Sequence, residues 1–284
     1  AAMKFGAAIF FTDYSISPTA LAPALEERGF DSLWCPEHSH IPLSRDSEWP
    51  QQGELPKKYY DVMDPFITLS QAAAVTTTLK VGTGICLVPQ RDPIQTAKEI
   101  ASLDTLSNGR FLFGVGSGWN SDELANHGTE FKSRHKVLKE RIAAMRVIWS
   151  QSNPEYHGDY VDFDPMMTLP KPVQQPGPAV YIGGEFPYGA RRALAFGDGW
   201  LPHANRPDYD LLDKLPEFHE MEAAAGRTPG SMPITVFGPK EERSVFERYI
   251  EAGVERIVLN IAPMSADETL PVLDEWAKLI EEIN

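Results

Sequence analysis

Short apolar or β-branched runs alternate with longer amphipathic stretches along the whole chain. This alternation predicts parallel strands that are joined by crossover helices. Strand character is found in Lys4–Phe11, Ser32–Pro36, Lys80–Val88, Arg110–Gly116, Ala179–Gly183, Gly199–His203, Ile234–Phe237 and Arg256–Ile261. Helical patterns follow them in Pro18–Arg28, Pro65–Thr76, Pro93–Ser107, Ser133–Ser150, Gly189–Ala195, Pro207–Ala225, Glu241–Ala252 and Ala266–Ile283. Because each of these eight strands is followed by a helix, the pattern predicts an α/β fold, a (β/α)8 TIM barrel.

A doubly wound open sheet is the alternative architecture for the same alternation. Its dinucleotide-binding form needs a glycine-rich turn directly after the first strand, and this chain lacks such a turn. The 284 residues also fit the length of one barrel domain. We therefore expect a single domain over residues 3–284, and we interpret Ala1 and Ala2, which precede Met3, as residues added by cloning.

The charge balance excludes one class of partner. There are 26 basic and 40 acidic residues, which give a net charge of −14, the wrong sign for binding a nucleic-acid backbone. No apolar run approaches the roughly 20 residues that span a bilayer, so we expect no membrane segment. Cys35 and Cys86 lie in apolar runs and do not suggest a disulfide framework, which indicates a cytoplasmic protein.

Two stretches are longer than the minimal repeat requires. Residues 43–64, after the second predicted strand, combine prolines and charges with Trp49, Tyr59 and Tyr60. A loop of this length is usually functional or disordered. Residues 153–177 are rich in proline and glycine, and Tyr156–Phe163 could form a small hairpin over the barrel.

Candidate chemistry lies after the predicted strands, because TIM barrels place their active sites at the carboxyl ends of the strands. The second strand is followed by Glu37, His38 and His40. A carboxylate beside an imidazole could handle a proton. Two surface histidines are an equally good interpretation. A zinc site from these three side chains is weak because no distant ligand cluster accompanies them, and we expect no metal.

Glycines mark the ends of two further strands. Gly114, Gly116 and Gly118 alternate ahead of Trp119, which favours a platform for a flat ligand over simple strand packing. Gly183-Gly184-Glu185 precedes a helix, whose amino end offers amides and a favourable dipole to a phosphate. Arg191 and Arg192 would strengthen that site unless they simply face solvent.

Taken in order, these segments resemble the luciferase-like monooxygenase superfamily, and within it the deazaflavin-dependent oxidoreductases of actinobacteria and methanogens. The resemblance covers almost the whole chain. Its most specific segment is Lys80–Trp119, KVGTGICLVPQRDPIQTAKEIASLDTLSNGRFLFGVGSGW, together with GFDSLWCPEHSHIP and IGGEFPYGARRALAFGDGW.

The resemblance implies roles for particular residues. Glu37 and His38 match positions that contact the deazaflavin ring, which makes His38 a proton donor or a cofactor anchor. Thr83, Gly84 and Ile85 match a bulged strand that backs the ring, with a cis peptide at Gly84–Ile85. Gly183 and Gly184, with Glu185 beside them, match the amides that hold the cofactor phosphate, and Gly118 and Trp119 are further cofactor-binding candidates.

One departure from the family concerns the substrate. Trp119 replaces the glutamate that sugar-phosphate dehydrogenases use as an acid or base, which argues against a sugar-phosphate substrate. Glu123 is the nearest carboxylate and becomes a candidate for that role.

The resemblance leads to three functional hypotheses. The first is an oxidoreductase that uses coenzyme F420 for hydride transfer to or from a small organic substrate. The others are an FMN-dependent monooxygenase and a flavin-binding barrel without catalysis. The acidic net charge counts against the polyglutamate tail of F420 unless Lys57, Lys58, Arg45 or Arg206 lines its exit. A homodimer is expected through the helices after the second and third strands, where the run Ala72–Ala74 allows close approach.

Overall fold

A computed structural model describes residues 2–284 and shows a barrel of parallel strands. The strands are Lys4–Ile9 (β1), Ser32–Cys35 (β2), Lys80–Leu87 (β3), Phe111–Gly116 (β4), Tyr156–His157 (β5), Asp162–Phe163 (β6), Val180–Gly183 (β7), Gly199–Leu201 (β8), Thr235–Phe237 (β9) and Arg256–Ile261 (β10). Eight of them form one sheet in the order β8-β7-β4-β3-β2-β1-β10-β9. Two parallel bridges, Trp200 to Ile234 and His203 to Phe237, join β8 to β9 and close the sheet. The predicted TIM barrel is confirmed, and the open sheet is ruled out.

Helices surround the barrel. They are Pro18–Glu27 (α1), Lys58–Asp61 (α2), Pro65–Ala74 (α3), Pro93–Leu106 (α4), Ser121–Asn126 (α5), Arg134–Ser150 (α6), Tyr188–Phe196 (α7), Leu211–Ala224 (α8), Arg243–Glu251 (α9) and Ala266–Ile283 (α10). Several begin where the sequence provides a cap. Asp64 and Asp92 accept hydrogen bonds from the first turns of α3 and α4, each ahead of a proline. Gly29 follows α1 with φ +83°, as expected for a helix stop.

The structure differs from the predicted elements in three places. Helix α8 begins at Leu211 rather than at Pro207, because Asp210 caps it by accepting from the Leu212 amide. The short helices α2 and α5 have too few residues to show a period and were not predicted. The hairpin of β5 and β6 forms, but it lies against α6, where the Glu140 carboxylate accepts from the amides of Asp159 and Val161.

The strands of the barrel bury side chains on both of their faces. A large cluster fills the space between strands and helices, and a second cluster of strand residues faces the barrel axis: Ala8, Trp34, Leu112, Tyr181, Leu201, Phe237 and Val258. Below it, at the amino ends of the strands, lies the buried Arg256, whose guanidinium is bonded to Asp31 and Thr235. The interior is therefore filled from below, and the open end is the carboxyl end.

Cys35 and Cys86 are both buried and unpaired. Within residues 2–284, no helix combines the length and the apolar character needed to cross a membrane.

Candidate active site

A cavity of about 860 Å³ opens at the carboxyl ends of the strands. Every main-sheet strand or the segment after it contributes to the wall. The site residues predicted from the sequence that line the cavity are Glu37, His38, Gly84, Ile85, Gly118, Trp119, Gly183, Gly184 and Glu185. Thr83 and Glu123 lie behind the wall, since both are fully buried and neither lines the cavity.

Ile85 forms a ridge in the floor. The pairing of β3 with β4 is interrupted between Thr83 and Cys86, and the Gly84–Ile85 peptide is cis, as the resemblance implied. A Cβ at Gly116 would lie 1.8 Å from Ile85 Cδ1, so only glycine leaves room for this ridge. A Cβ at Gly114 would lie 2.0 Å from the Thr83 carbonyl oxygen. Gly114 therefore accommodates the backbone of β3, and Gly116, which also lines the cavity, accommodates the Ile85 side chain.

Glu37 is held by protein groups on both carboxylate oxygens. Oε1 accepts from the Leu87 amide at 2.8 Å, and Oε2 accepts from Arg91 Nε at 2.7 Å and from Arg91 Nη2. Arg91 also donates to Asp64 at 2.7 Å. The Glu37 carboxylate thus ties the end of β2 to the end of β3, and it is not paired with His38. Arg91 was missed because its partner lies 54 positions away.

His38 is paired with Glu123 instead. Nδ1 of His38 lies 2.8 Å from Oε1 of Glu123, and a carboxylate only accepts, so the ring proton resides on Nδ1. Glu123 is completely buried, and its Oε2 has no partner among residues 2–284. The remaining nitrogen, Nε2, is the one available to a ligand. The rings of Tyr59 and Trp119 flank His38 at 5.4 and 6.0 Å.

Arg134 and Arg192 form a cation cluster where β4 and β7 end, and His135 lies beside it. Arg134 donates to the Gly118 carbonyl at 3.0 Å, and His135 Nδ1 lies 2.7 Å from Ser117 Oγ. Arg192 reaches Gly184, where a Cβ would lie 3.1 Å from its Nη2, and its buried Nε has no partner within the described chain. Burial, together with the charges of Arg192 and Arg134, lowers the pKa of His135 to about 4.

This cluster is chemically suited to an anion. The two guanidiniums of Arg134 and Arg192 lie near one carboxylate, that of Glu185, so a net positive charge remains that an anion can balance. Gly184, with φ +137°, allows Gly189 and Arg192 to approach the end of β7 closely. Arg191 instead lies with its guanidinium 5.6 Å from the Tyr188 ring centroid and is exposed. Sequence reasoning missed Arg134 and His135, although both lie at the start of α6, the long helix between β4 and β7.

Residues 43–64 form part of the cavity wall. Trp49, Lys58 and Tyr59 line it, and the Trp49 and Tyr59 rings pack at 5.6 Å. Of the cations considered as an exit for an acidic tail, Lys58 and Arg206 line the cavity. Lys57 is paired with Asp61 at 2.6 Å, and Arg45 lies over the Trp119 ring at 5.7 Å.

Comparison with known proteins decides the family. The sequence profile described as luciferase-like monooxygenase matches residues 17–240. An uncharacterized protein of Mycobacterium tuberculosis (strain ATCC 25618 / H37Rv) is 37% identical over 283 residues, which cover 97% of this chain and 98% of that protein. The chain belongs to the luciferase-like monooxygenase family.

Other relatives of this luciferase-like chain have named activities. The F420-dependent hydroxymycolic acid dehydrogenase of Mycobacterium tuberculosis (strain ATCC 25618 / H37Rv) is 29% identical over 216 residues, 75% of this chain and 55% of that protein. The F420-dependent glucose-6-phosphate dehydrogenase of Amycolatopsis mediterranei (strain U-32) is 30% identical over 218 residues, 74% of this chain and 60% of that protein.

Solved structures share the luciferase-like barrel. The monooxygenase RslO1 from Streptomyces bottropensis has a TM-score of 0.79 at 19% identity and 99% coverage of both chains. An F420-dependent secondary alcohol dehydrogenase, solved with an F420-acetone adduct, has a TM-score of 0.74 at 19% identity, covering 100% of this chain and 98% of that one. At these identities the likeness concerns the fold.

Proposed function

We propose that this luciferase-like protein is an oxidoreductase that uses coenzyme F420 and acts on a small organic substrate at the mouth of the barrel. The observation that carries the proposal is one cavity in which a histidine oriented by a buried carboxylate and the guanidiniums of Arg134 and Arg192 lie on either side of the Ile85 ridge. Relatives named as F420-dependent enzymes support the choice of cofactor.

The residues present fit the deazaflavin coenzyme. Arg134, Arg192 and the backbone at Gly184 would hold its phosphate, and Ile85 would support its ring. The coenzyme, when bound, supplies or accepts the hydride, and the protein supplies orientation and electrostatics. Trp119 flanks the ring site where sugar-phosphate dehydrogenases use a glutamate, so the proposed substrate is not a sugar phosphate.

His38 handles the proton in this proposal. Its Nε2 faces the position where a substrate oxygen would gain or lose a proton, while Glu123 holds Nδ1 and fixes the tautomer. Glu123 is therefore a positioning residue, because it is outside the cavity wall and acts through His38. Glu37 has a supporting role, as both of its oxygens are bonded to Arg91 and the β3 end.

An FMN-dependent monooxygenase is the second candidate function, because the cation cluster would bind the phosphate of FMN as well. Titrations with F420 and with FMN, followed by fluorescence quenching, separate the two. We expect tighter binding of F420, and reduction of F420 by an alcohol or oxidation of its reduced form by an enone or ketone in a substrate screen. Equal or reversed affinities, with oxygen consumption on adding reduced FMN, would support the monooxygenase instead. If the protein binds either cofactor but catalyses no reaction in these assays, it would be a cofactor carrier.

The assembly we propose is a homodimer through α3 and α4. These neighbouring helices expose large apolar side chains, with Ile67 at 65% and Leu106 at 76% exposure. Exposed apolar surface of this kind is typical of protein interfaces. Sedimentation at micromolar concentration should show a species of twice the 31.6 kDa chain mass, and a purely monomeric profile would contradict the proposal.

A further inference from the structure

The ammonium group of Lys58 has no counter-charge. Lys58 lines the cavity and is half-buried, and among residues 2–284 its Nζ makes neither a hydrogen bond nor an ion pair. Its contact is the ring of Phe10, whose centroid lies 4.6 Å away. Burial lowers the pKa of Lys58, and no carboxylate offsets that effect. A half-buried charge without a partner loses part of its hydration, and an anionic ligand can replace what is lost.

The other cationic side chains that line the cavity either pair with a carboxylate of this chain or belong to the cation cluster near β7. Arg206 is paired with Asp208 at 3.1 Å, and Arg134 donates to two backbone carbonyls. Arg192 lies beside Gly184. The adjacent Lys57 is paired with Asp61 and is outside the cavity wall, so the two neighbouring lysines differ in both respects.

The position of Lys58 separates it from the cation cluster. Phe10 follows β1 and Lys58 follows β2, whereas Arg192 follows β7, and β3 and β4 lie between these two sides in the sheet. The Ile85 ridge belongs to β3, so it lies between the two positive regions. An anion at Lys58 is therefore a different group from a phosphate at Arg192.

The wall around Lys58 is aromatic. Phe10 packs on Tyr59 at 4.8 Å, and Tyr59 packs on Trp49 at 5.6 Å and on His38 at 5.4 Å. Aromatic faces of this kind can pack against a flat or apolar ligand, and the Lys58 ammonium can bind one anionic group at the edge of that ligand.

We propose that Lys58 selects a substrate that carries a carboxylate on a flat or apolar body, and that the aromatic wall holds this body beside His38. The inference rests on the proposed oxidoreductase function and names its substrate class. The polyglutamate tail of the coenzyme offers the same carboxylate chemistry, but it is attached beyond the phosphate, on the β7 side of the ridge.

The test measures binding of matched ligand pairs to the purified protein, with and without bound F420. The ligands are cinnamate, phenylacetate and octanoate, each compared with its neutral primary amide, followed by tryptophan fluorescence and calorimetry. We expect the wild type to bind at least one carboxylate tightly, and Lys58→Met to weaken that binding about tenfold to a hundredfold while the amide is unaffected. Lys58→Arg should retain most of the preference, and Lys57→Met should leave it unchanged.

Two results would overturn the inference. One is a wild type that shows no carboxylate preference in any pair, and the other is a Lys58→Met variant that keeps the preference. If Lys58→Met instead weakens F420 binding, and does so more for longer glutamate tails, Lys58 is a tail contact and the substrate assignment is wrong. Unaltered F420 binding with no carboxylate preference refutes this inference alone, whereas absent F420 binding refutes the proposed function. Equal melting temperatures of the variants would show that they are folded.

Discussion

At the amino ends of the strands, the buried guanidinium of Arg256 is hydrogen-bonded to its neighbours, whereas near the carboxyl ends several buried polar atoms of residues 2–284 have no hydrogen-bond partner. Arg256 is 1% exposed, and its Nε donates to Asp31 while Nη1 donates to Thr235. In residues 2–284, the buried side-chain polar atoms without a partner all belong to segments that follow β3, β4 and β7: Gln90, Asn120, Glu123, Arg141 and Arg192.

This difference separates stability from function. Buried polar groups in proteins are nearly always hydrogen-bonded, and groups left unpaired mark places where a ligand or a reaction completes the bonding. The amino-end network is complete within the chain and can only stabilise the barrel. Of the five residues at the carboxyl end, Arg192 lines the cavity and can bond to a molecule from outside.

The largest effect expected at the carboxyl end is on turnover. Replacing His38 by Ala should lower kcat about a hundredfold to ten-thousandfold with the substrate found by screening, because general acid–base catalysis contributes that much. F420 affinity should change only slightly, as a group that acts in the chemical step affects kcat more than binding. A collapse of affinity at unchanged turnover of the bound cofactor would make His38 an anchor instead.

Glu123→Gln sharpens the same prediction. It keeps the shape of the side chain but removes the charge that fixes Nδ1–H of His38. We expect a loss of about tenfold in kcat and a displaced pH profile, neither of which a purely structural role of Glu123 would produce. We expect only a small change in stability, because the amide oxygen can still accept from His38 and the variant removes a buried charge, which offsets the cost of an unpartnered amide NH2 at the Oε2 position among residues 2–284.

At the amino end, the expected effect is on stability alone. Asp31→Ala leaves Arg256 without its carboxylate and should lower the free energy of unfolding by about 3 kcal/mol in urea titrations. The matched control is Asp274→Ala, which removes the exposed partner of Arg28 and should cost less than about 1 kcal/mol. If Asp31→Ala weakened F420 binding as strongly as it weakened the fold, the two ends would not be independent.

Arg192 tests the anion site. Arg192→Met should weaken F420 binding about tenfold to a hundredfold, because a charge-assisted contact to the phosphate is lost. The same deazaflavin without its phosphate and tail should bind the variant and the wild type equally. Arg191→Met is the control, since Arg191 is exposed over Tyr188. If Arg192→Met weakened the binding of both forms of the cofactor, Arg192 would contact the deazaflavin ring and not the phosphate.

The smallest effect concerns pH. The pKa of His135 falls from 6.5 to about 4 on folding, so the unfolded chain binds more protons between those values. Stability from this group is complete above pH ~6.5 and is lost as the pH falls toward ~4. Because the side chain is half-exposed, the wild type should lose only about 1 kcal/mol more than His135→Gln over this range. If urea titrations showed that the wild type and His135→Gln lose the same free energy of unfolding between pH ~6.5 and ~4, the lowered pKa of His135 would be contradicted.

The sequence by itself determined the barrel and much of the list of site candidates. The alternation of apolar runs with amphipathic stretches reflects local periodicity, so eight strands and the principal helices were predicted within a few residues. All carboxyl ends of a parallel barrel meet on one face, which is why His38, Trp119 and Gly183, singled out at strand ends in the sequence, line the same cavity.

Only the tertiary structure decided which charges meet. His38 was expected to act with its neighbour Glu37, yet its partner Glu123 lies 85 positions away, and Glu37 is taken by Arg91. Likewise, Lys57 and Lys58 are indistinguishable in the sequence, although one is paired at the surface and the other faces the cavity without a partner. Such pairings depend on the closure of the barrel and the path of long loops. Local periodicity carries no information about either, because it records only which face of an element is buried.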